Sequence, residues 1–319
     1  MRSWFNKLAV ATLGVASLFT TAHADPLDPT TVPNDSKWVI HIDMDAVRKS
    51  STWKDVYDRL QKAPDFVPKV TELENIFNAR FPDDLHGVTL FGAGFGDHTG
   101  VVMINANVDR KQVETLLAQG PKNTSTPRGD HALLSWDDKG QTKYGSFFSD
   151  SKFLISDDKD SVGFALDVLD GKADALKPDA ALAAGVKTKQ KDQPGILIYV
   201  AGEGLAKLRA QAARSPLLAQ MKSAYITLTE DKDDVVLTLN VTADSAPAAQ
   251  KMQQAAEGLR AMLGLAAADE NAKPGVVKLN DVVQKATLAT NGTNVSLVAR
   301  LPQNQVPAML DEAIKNRKN

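Results

Sequence analysis

The sequence predicts an α+β fold made of two duplicated domains, each of antiparallel β-hairpins packed against helices. Three observations predict it. Alternating polar and apolar segments, such as "YITLTE" and "VVLTLNVT", come in pairs joined by short turns, which is the mark of hairpins with one face on a core. Segments with an apolar residue every three or four positions follow those hairpins. The order strand, helix, hairpin, helix, hairpin, helix occurs twice along the chain.

The chain has 319 residues. Residues 1–24 read as a signal peptide: Arg2 and Lys7, then the apolar run "LAVATLGVASLF", then "TTAHA" with Ala22 and Ala24 spaced for cleavage. That run is shorter than the ~20 residues a membrane span needs. Residues 25–37 form a Pro- and Asp-rich lead-in, and "WVIHID" follows as a strand. Trp53, Val56, Tyr57 and Leu60 share one helix face, with Thr52 and Asp55 placed as a capping box. A second helix is expected over 67–80, with Val70, Leu73 and Phe77 inward and Pro82 beyond its end.

"GVTLFG" and "GVVMINANV" read as strands joined by "AGFGDHT". A helix over 109–118 starts at Asp109, with Gln112 completing a capping box and Val113, Leu116 and Leu117 inward. "HALLSW", "KYGSFFS" and "KFLISD" are three further strands, and "DSVGFALDVLDG" is a helix ending at Gly171. In the second half "GILIYV" is a strand and 203–222 a helix that Pro216 would kink. "SAYITLTE" and "DVVLTLNVTA" form a hairpin across "DKD". A helix over 246–264 is expected to turn Met252, Ala255, Leu259, Met262 and Leu263 to the core. "AADENAKPG" reads as loop, "VQKATLAT" and "NVSLVARL" as a hairpin turning at Asn291-Gly292, and 303–315 as a last helix with Val306, Leu310, Ala313 and Ile314 inward.

Laid side by side, "WVIHIDMDAVRKS" answers "GILIYVAGEGLAKL", "GVVMINANVDRKQVETLLA" answers "DVVLTLNVTADSAPAAQKM", and "KFLISDDKDSVGFALDVLDG" answers "NVSLVARLPQNQVPAMLDEA". The expected organisation is a first α+β domain over 38–171, a linker over 172–194 rich in Ala, Lys, Asp and Gly, and a second domain over 195–319 that repeats the first.

With 37 Lys+Arg against 39 Asp+Glu, the net charge is -2. Nothing here attracts a phosphate backbone, so no nucleic-acid partner is expected. Beyond residue 24 no stretch is long and apolar enough to span a membrane. The chain has no cysteine, so disulfides, thiol nucleophiles, thiolate metal sites and cysteine lipidation are all excluded. It carries no phosphate-binding loop, no dinucleotide glycine fingerprint, and none of the common serine-hydrolase or zinc-protease motifs. No cofactor is expected.

One short stretch could carry chemistry. In "HIDMDA", strand alternation would put Val39, His41, Asp43 and Asp45 on one face. His41 and Asp43 could flank a ligand or ion, with Asp43 the weak metal candidate. Further ligands would have to come from elsewhere: Asp97 and His98 on the glycine-rich loop, His86, or Asp157–Asp158. The structural reading of the same residues is a buried strand end, with Asp45 capping a helix that begins near Val47.

"IHIDMDA" resembles the opening of Y-family translesion DNA polymerases, and that resemblance would make Asp43 a magnesium ligand. The match covers only these residues. Val47-Arg48 stand where that family has bulky aromatics, and no later Ser-x-Asp-Glu pair follows, so the match is read as coincidental. "PNDSKWVIHIDMDAVRKS" also resembles uncharacterised exported bacterial proteins, a likeness that implies an envelope or extracellular setting and no chemistry.

The expected function is a non-enzymatic module of the bacterial cell envelope that binds an envelope protein or a small ligand after cleavage near Ala24-Asp25. The alternative is a metal-dependent or acid-base hydrolase using His41, Asp43, Asp97 and His98. Self-association is a third reading, one that an exposed apolar patch would favour.

Overall fold

The computed structural model describes residues 26–64, 66–94, 100–119, 123–138, 140–177, 195–201, 218–269 and 274–307. Its centre is one twelve-stranded sheet in which every pairing is antiparallel. The strands are β1 (Trp38–Asp43), β2 (Leu85–Gly92), β3 (Gly100–Ala106), β4 (Thr124–Arg128), β5 (His131–Asp138) and β6 (Gln141–Ser149). Then come β7 (Lys152–Ser156), β8 (Ile196–Ala201), β9 (Met221–Asp231), β10 (Asp234–Ala243), β11 (Thr287–Asn291) and β12 (Asn294–Pro302). Among the described residues the helices are α1 (Met44–Lys49), α2 (Trp53–Leu60), α3 (Phe66–Phe77), α4 (Arg110–Ala118), α5 (Lys159–Leu169), α6 (Ala246–Ala267) and α7 (Pro274–Lys285). The α+β class is as expected.

Strand order across the sheet is β11-β12-β10-β9-β8-β1-β2-β3-β7-β6-β5-β4. β1 and β8 meet at the centre, antiparallel, with His41 opposite Leu197. Outward from that pair the two sides run alike: a hairpin (β2–β3 or β9–β10), then the last strand of the half (β7 or β12), then its hairpin partner (β6 or β11). The first side adds β5 and β4. One sheet therefore runs through both halves of the chain.

Two helical layers seal the first half. On the face that carries Val39 and Phe91, α5 lays Val162, Ala165 and Leu166 against Met103 and Leu154. On the other face, α1 and α2 put Met44, Val47 and Val56 against Ile42, Ile196 and Val235. Farther along that face, α3 and α4 bring Phe77 and Val113 to Phe147, Phe153 and Ile155. Each fully buried side chain of this size contributes about 1.5–3 kcal/mol. The lead-in and the start of the linker join this half: Leu27 and Val32 are buried, and Val32 O accepts from the Leu176 amide at 2.7 Å.

Several local expectations change. Thr52 does not cap α2; its hydroxyl donates to Glu230 at 2.7 Å, and Ser50 Oγ takes the Trp53 amide at 3.1 Å. Asp109 caps α4 through the Gln112 amide at 2.9 Å, as expected, while the Gln112 side chain goes to the Asn75 carbonyl at 2.8 Å. Leu116 points outward and Val113 inward. Strand β4 appears where the sequence read no regular element, and helix α7 takes the end of the expected loop and the first three residues of the expected strand "VQKATLAT". The second-half helix expected to reach residue 222 gives way to strand from Met221, and 202–217 lie outside the described residues, as do 308–315 of the expected last helix. The β11–β12 turn has Gly292, at φ +59, as its first central residue, because Asn291 pairs with Asn294.

Candidate functional site

Strand β1 delivers His41 and Asp43 to the centre of the sheet, two residues apart on one face. His41 is 4 % exposed and its Nδ1 lies 2.9 Å from Thr89 Oγ1, on the neighbouring strand and directly opposite in register. Asp43 is 0 % exposed. It ends the strand and caps α1 at once: its backbone is extended, and its Oδ1 accepts the Ala46 amide at 2.8 Å. A carboxylate there satisfies an orphan amide and faces the positive end of the helix.

This corrects the reading of Asp45 as the cap. The chain passes from strand to helix without a loop, so the helix starts at Met44 and the cap falls at Asp43. Asp45 therefore leaves the strand row and sits in the first turn of α1. There its carboxylate pairs with Arg48 and with His86 Nδ1, 3.1 Å away. Arg48 also donates to the carbonyls of Pro82 and Leu85. His86 thus joins Asp45, not His41 and Asp43. The network clamps the turn after α3 to helix α1.

Asp97 and His98 lie outside the described residues. Asp157 pairs with Lys143, and both side chains are almost wholly buried. Asp158 caps α5 through the Ser161 amide at 2.9 Å. Among the described residues, no three His, Asp or Glu side chains converge as a metal ligand set.

Two further polar clusters were not singled out in the sequence. Buried Glu230 on β9 takes the Ser51 amide at 3.2 Å and the Thr52 hydroxyl at 2.7 Å, which ties the start of α2 to the second half. At the end of α5, Asp170 accepts from Lys172 at 2.7 Å and lies 2.9 Å from His131 Nε2. Its carboxyl is held below the usual aspartate range, first by Lys172 and then by His131. Asp84 is likewise lowered, first by the Arg80 backbone amide and then by the Arg80 side chain. Each of these carboxylates stabilises a helix end or a turn, which is structural work.

The remaining surface feature is apolar. Helix α6, 22 residues long, packs on β10, β11 and β12, where Ala248, Ala249 and Met252 meet Val295 and Leu288. Its second half also packs on α7, with the Gln284 amide donating to Arg260 O at 2.9 Å. Leu259 and Met262 are 66 % exposed, Leu265 is 76 % exposed and Leu279 on α7 is 50 % exposed. Leu259 and Met262 were expected in the core; they lie to the solvent side of the face that runs through Ala249, Ala256 and Leu263, which are buried or half-buried.

No family model matches this chain, and no curated protein matches it. The fold is similar to that of TP0453, a Treponema protein. One crystal form of TP0453 aligns at TM-score 0.50 and 9 % identity, covering 88 % of this chain and 97 % of that one. A second form aligns at TM-score 0.50 and 8 % identity, covering 90 % and 97 %. At that identity the likeness is one of fold.

Proposed function

We propose that the chain is an exported, non-enzymatic protein of the bacterial cell envelope that acts by binding, through the exposed apolar side chains in the second half of α6. The observation that carries this is the solvent exposure of Leu259, Met262 and Leu265 on one helix. Contiguous exposed apolar side chains are costly to solubility and mark contact surfaces. The export part of the reading rests on the leader-like residues 1–24. In keeping with it, no described helix is long and apolar enough to cross a membrane. The hydrolase alternative needs His41 and Asp43 to reach a substrate. Both are sealed in the sheet and occupied in holding it together.

The test is site-specific photo-crosslinking in exporting cells, with the probe at Met262 and a control at Glu72 on the exposed side of α3. The reading expects a discrete adduct from position 262 and none from position 72. Absence of any adduct at 262, or the same smear from both positions, would refute it.

A further inference from the structure

We infer that Met262 is an oxidation site: a peroxide converts its thioether to the sulfoxide ahead of the other described methionines, and the sulfoxide turns the exposed apolar side of α6 polar. The consequence for that surface rests on the binding role proposed for α6 and names a chemistry that regulates it.

The described residues include five methionines. Met44 and Met103 are buried, at 7 % and 6 % exposure, and Met221 and Met252 are half-buried. Met262 is 66 % exposed. Met1 and Met309 lie outside the described residues. On a helix the neighbours of a side chain stand three and four positions away. For Met262 these are Gly258, Leu259, Leu265 and Ala266. Leu259 and Leu265 are themselves 66 % and 76 % exposed, Ala266 is exposed, and a Cβ on Gly258 would meet nothing within 4 Å. No neighbour on α6 walls the thioether off from solvent.

The chain has no cysteine, so no thiolate competes for the oxidant, and its sulfur chemistry falls to methionine. Export would also take the chain away from the pools that keep sulfur reduced. In the reaction a sulfur lone pair attacks one peroxide oxygen. The S–O bond forms as the O–O bond breaks, the proton on the transferred oxygen passes to the leaving hydroxide, and water is released. The sulfur is oxidised by two electrons and the peroxide is reduced. The product places a strong hydrogen-bond acceptor between Leu259 and Leu265, where the surface was apolar. Met44 packs with Val47 and Met103 with Leu154 in buried clusters, so oxygen on either sulfur would disrupt a core. At Met262 the same change alters the surface and spares the fold.

The experiment treats the mature protein, purified from an exporting host, with limiting hydrogen peroxide. Each methionine is followed by peptide mass spectrometry, in the folded protein and in guanidinium. In the folded protein Met262 should gain one oxygen at least roughly tenfold faster than Met44 and Met103, and in guanidinium the three should react alike. The melting temperature should not change while Met262 alone is oxidised. Equal rates in the folded protein, or a melting temperature that falls with Met262 oxidation, overturn the inference. For the consequence, a photo-crosslinking probe is placed at Leu265 in the wild type and in Met262→Leu. Each protein, oxidised beforehand or not, is mixed with an envelope fraction from the exporting host. Oxidation should cut the adduct at least roughly fivefold in the wild-type background, since burying an unpaired polar oxygen is costly, and should leave it intact in Met262→Leu. Equal loss in both backgrounds, or loss in neither, overturns the regulation. No adduct from unoxidised protein would refute the binding role instead, while the mass spectra still decide the oxidation site.

Discussion

The two sides of the sheet follow the same order of strands outward from β1 and β8, yet they finish their surfaces differently. In the first half, helices cover both faces, and Phe91, Phe147, Leu154 and Leu166 are fully buried. In the second half the corresponding helix after the hairpin is α6, whose outer side keeps apolar side chains in solvent. Among the described residues, four of the six exposed large hydrophobics, Leu259, Met262, Leu265 and Leu279, lie on α6 and α7. Where the apolar residues of a helix all turn to the sheet, they become core. On α6 they spread past that side, and Leu259, Met262 and Leu265 become surface.

Four substitutions or conditions would sharpen or break that contrast. The largest effect is expected in the sealed half, at the buried Lys143–Asp157 pair. Asp157→Ala takes the carboxylate away from a buried lysine and should cost about 3–5 kcal/mol in denaturant unfolding. Replacing both partners, Lys143→Met with Asp157→Leu, should recover most of the loss. Failure to recover would mean that the charges do more than satisfy each other.

Next is the direct comparison of apolar side chains. Leu154→Ala, in the core beneath α5, should lose about 2–5 kcal/mol. Met262→Ala on the exposed side of α6 should change the stability of a dilute sample by less than about 0.5 kcal/mol. A loss of several kcal/mol at Met262 would place it in a core and remove the contrast.

Asp43 comes third. Asp43→Ala removes the cap of α1 and should cost about 0.5–2 kcal/mol, while Asp43→Asn should restore most of it, since either side chain accepts the Ala46 amide. Chelator should leave the melting temperature of the wild type unchanged. A chelator-sensitive melt that Asp43→Ala abolishes would instead give Asp43 a metal.

The smallest effect concerns pH. Asp84 and Asp170 have folded-state pKa values below their unfolded ones. Their contribution is therefore present above the ordinary aspartate value of about 3.9 and is lost as pH falls through it toward the folded values. Acid titration of the melting temperature should show a shallow decline there, flatter in Asp84→Asn with Asp170→Asn. An unchanged profile in the double variant would assign the decline to other carboxylates.

Much of the fold was legible in the sequence because hairpins announce themselves by alternation. "YITLTE" with "VVLTLNVT" paired as read, and Asp109 capped its helix. The misreadings have local causes. Strand β4 is short and polar and contains Pro127, a residue tolerated at the sheet edge that it occupies. Helix α7 is rich in valine, which favours strands, and Pro274 at its first position marks a helix start only in hindsight. The cap at Asp43 was displaced by two residues because no loop separates β1 from α1. Exposure of Leu259 and Met262 was not legible: α6 is so rich in alanine and other apolar residues that the sequence does not single out which side packs, and the packed side runs through Ala249, Ala256 and Leu263. Lys143 opens the strand read at "KYGSFFS" and was not singled out; its partner Asp157 is brought to it by the β6–β7 pairing.

The most direct measurement exploits the absence of cysteine from the chain. A single Met262→Cys variant would be reacted with a maleimide and its labelling rate compared with that of a free thiol. The account predicts labelling as fast as for the free thiol, because Met262 faces solvent. Slow labelling would show that the chain covers this face itself and would contradict the account.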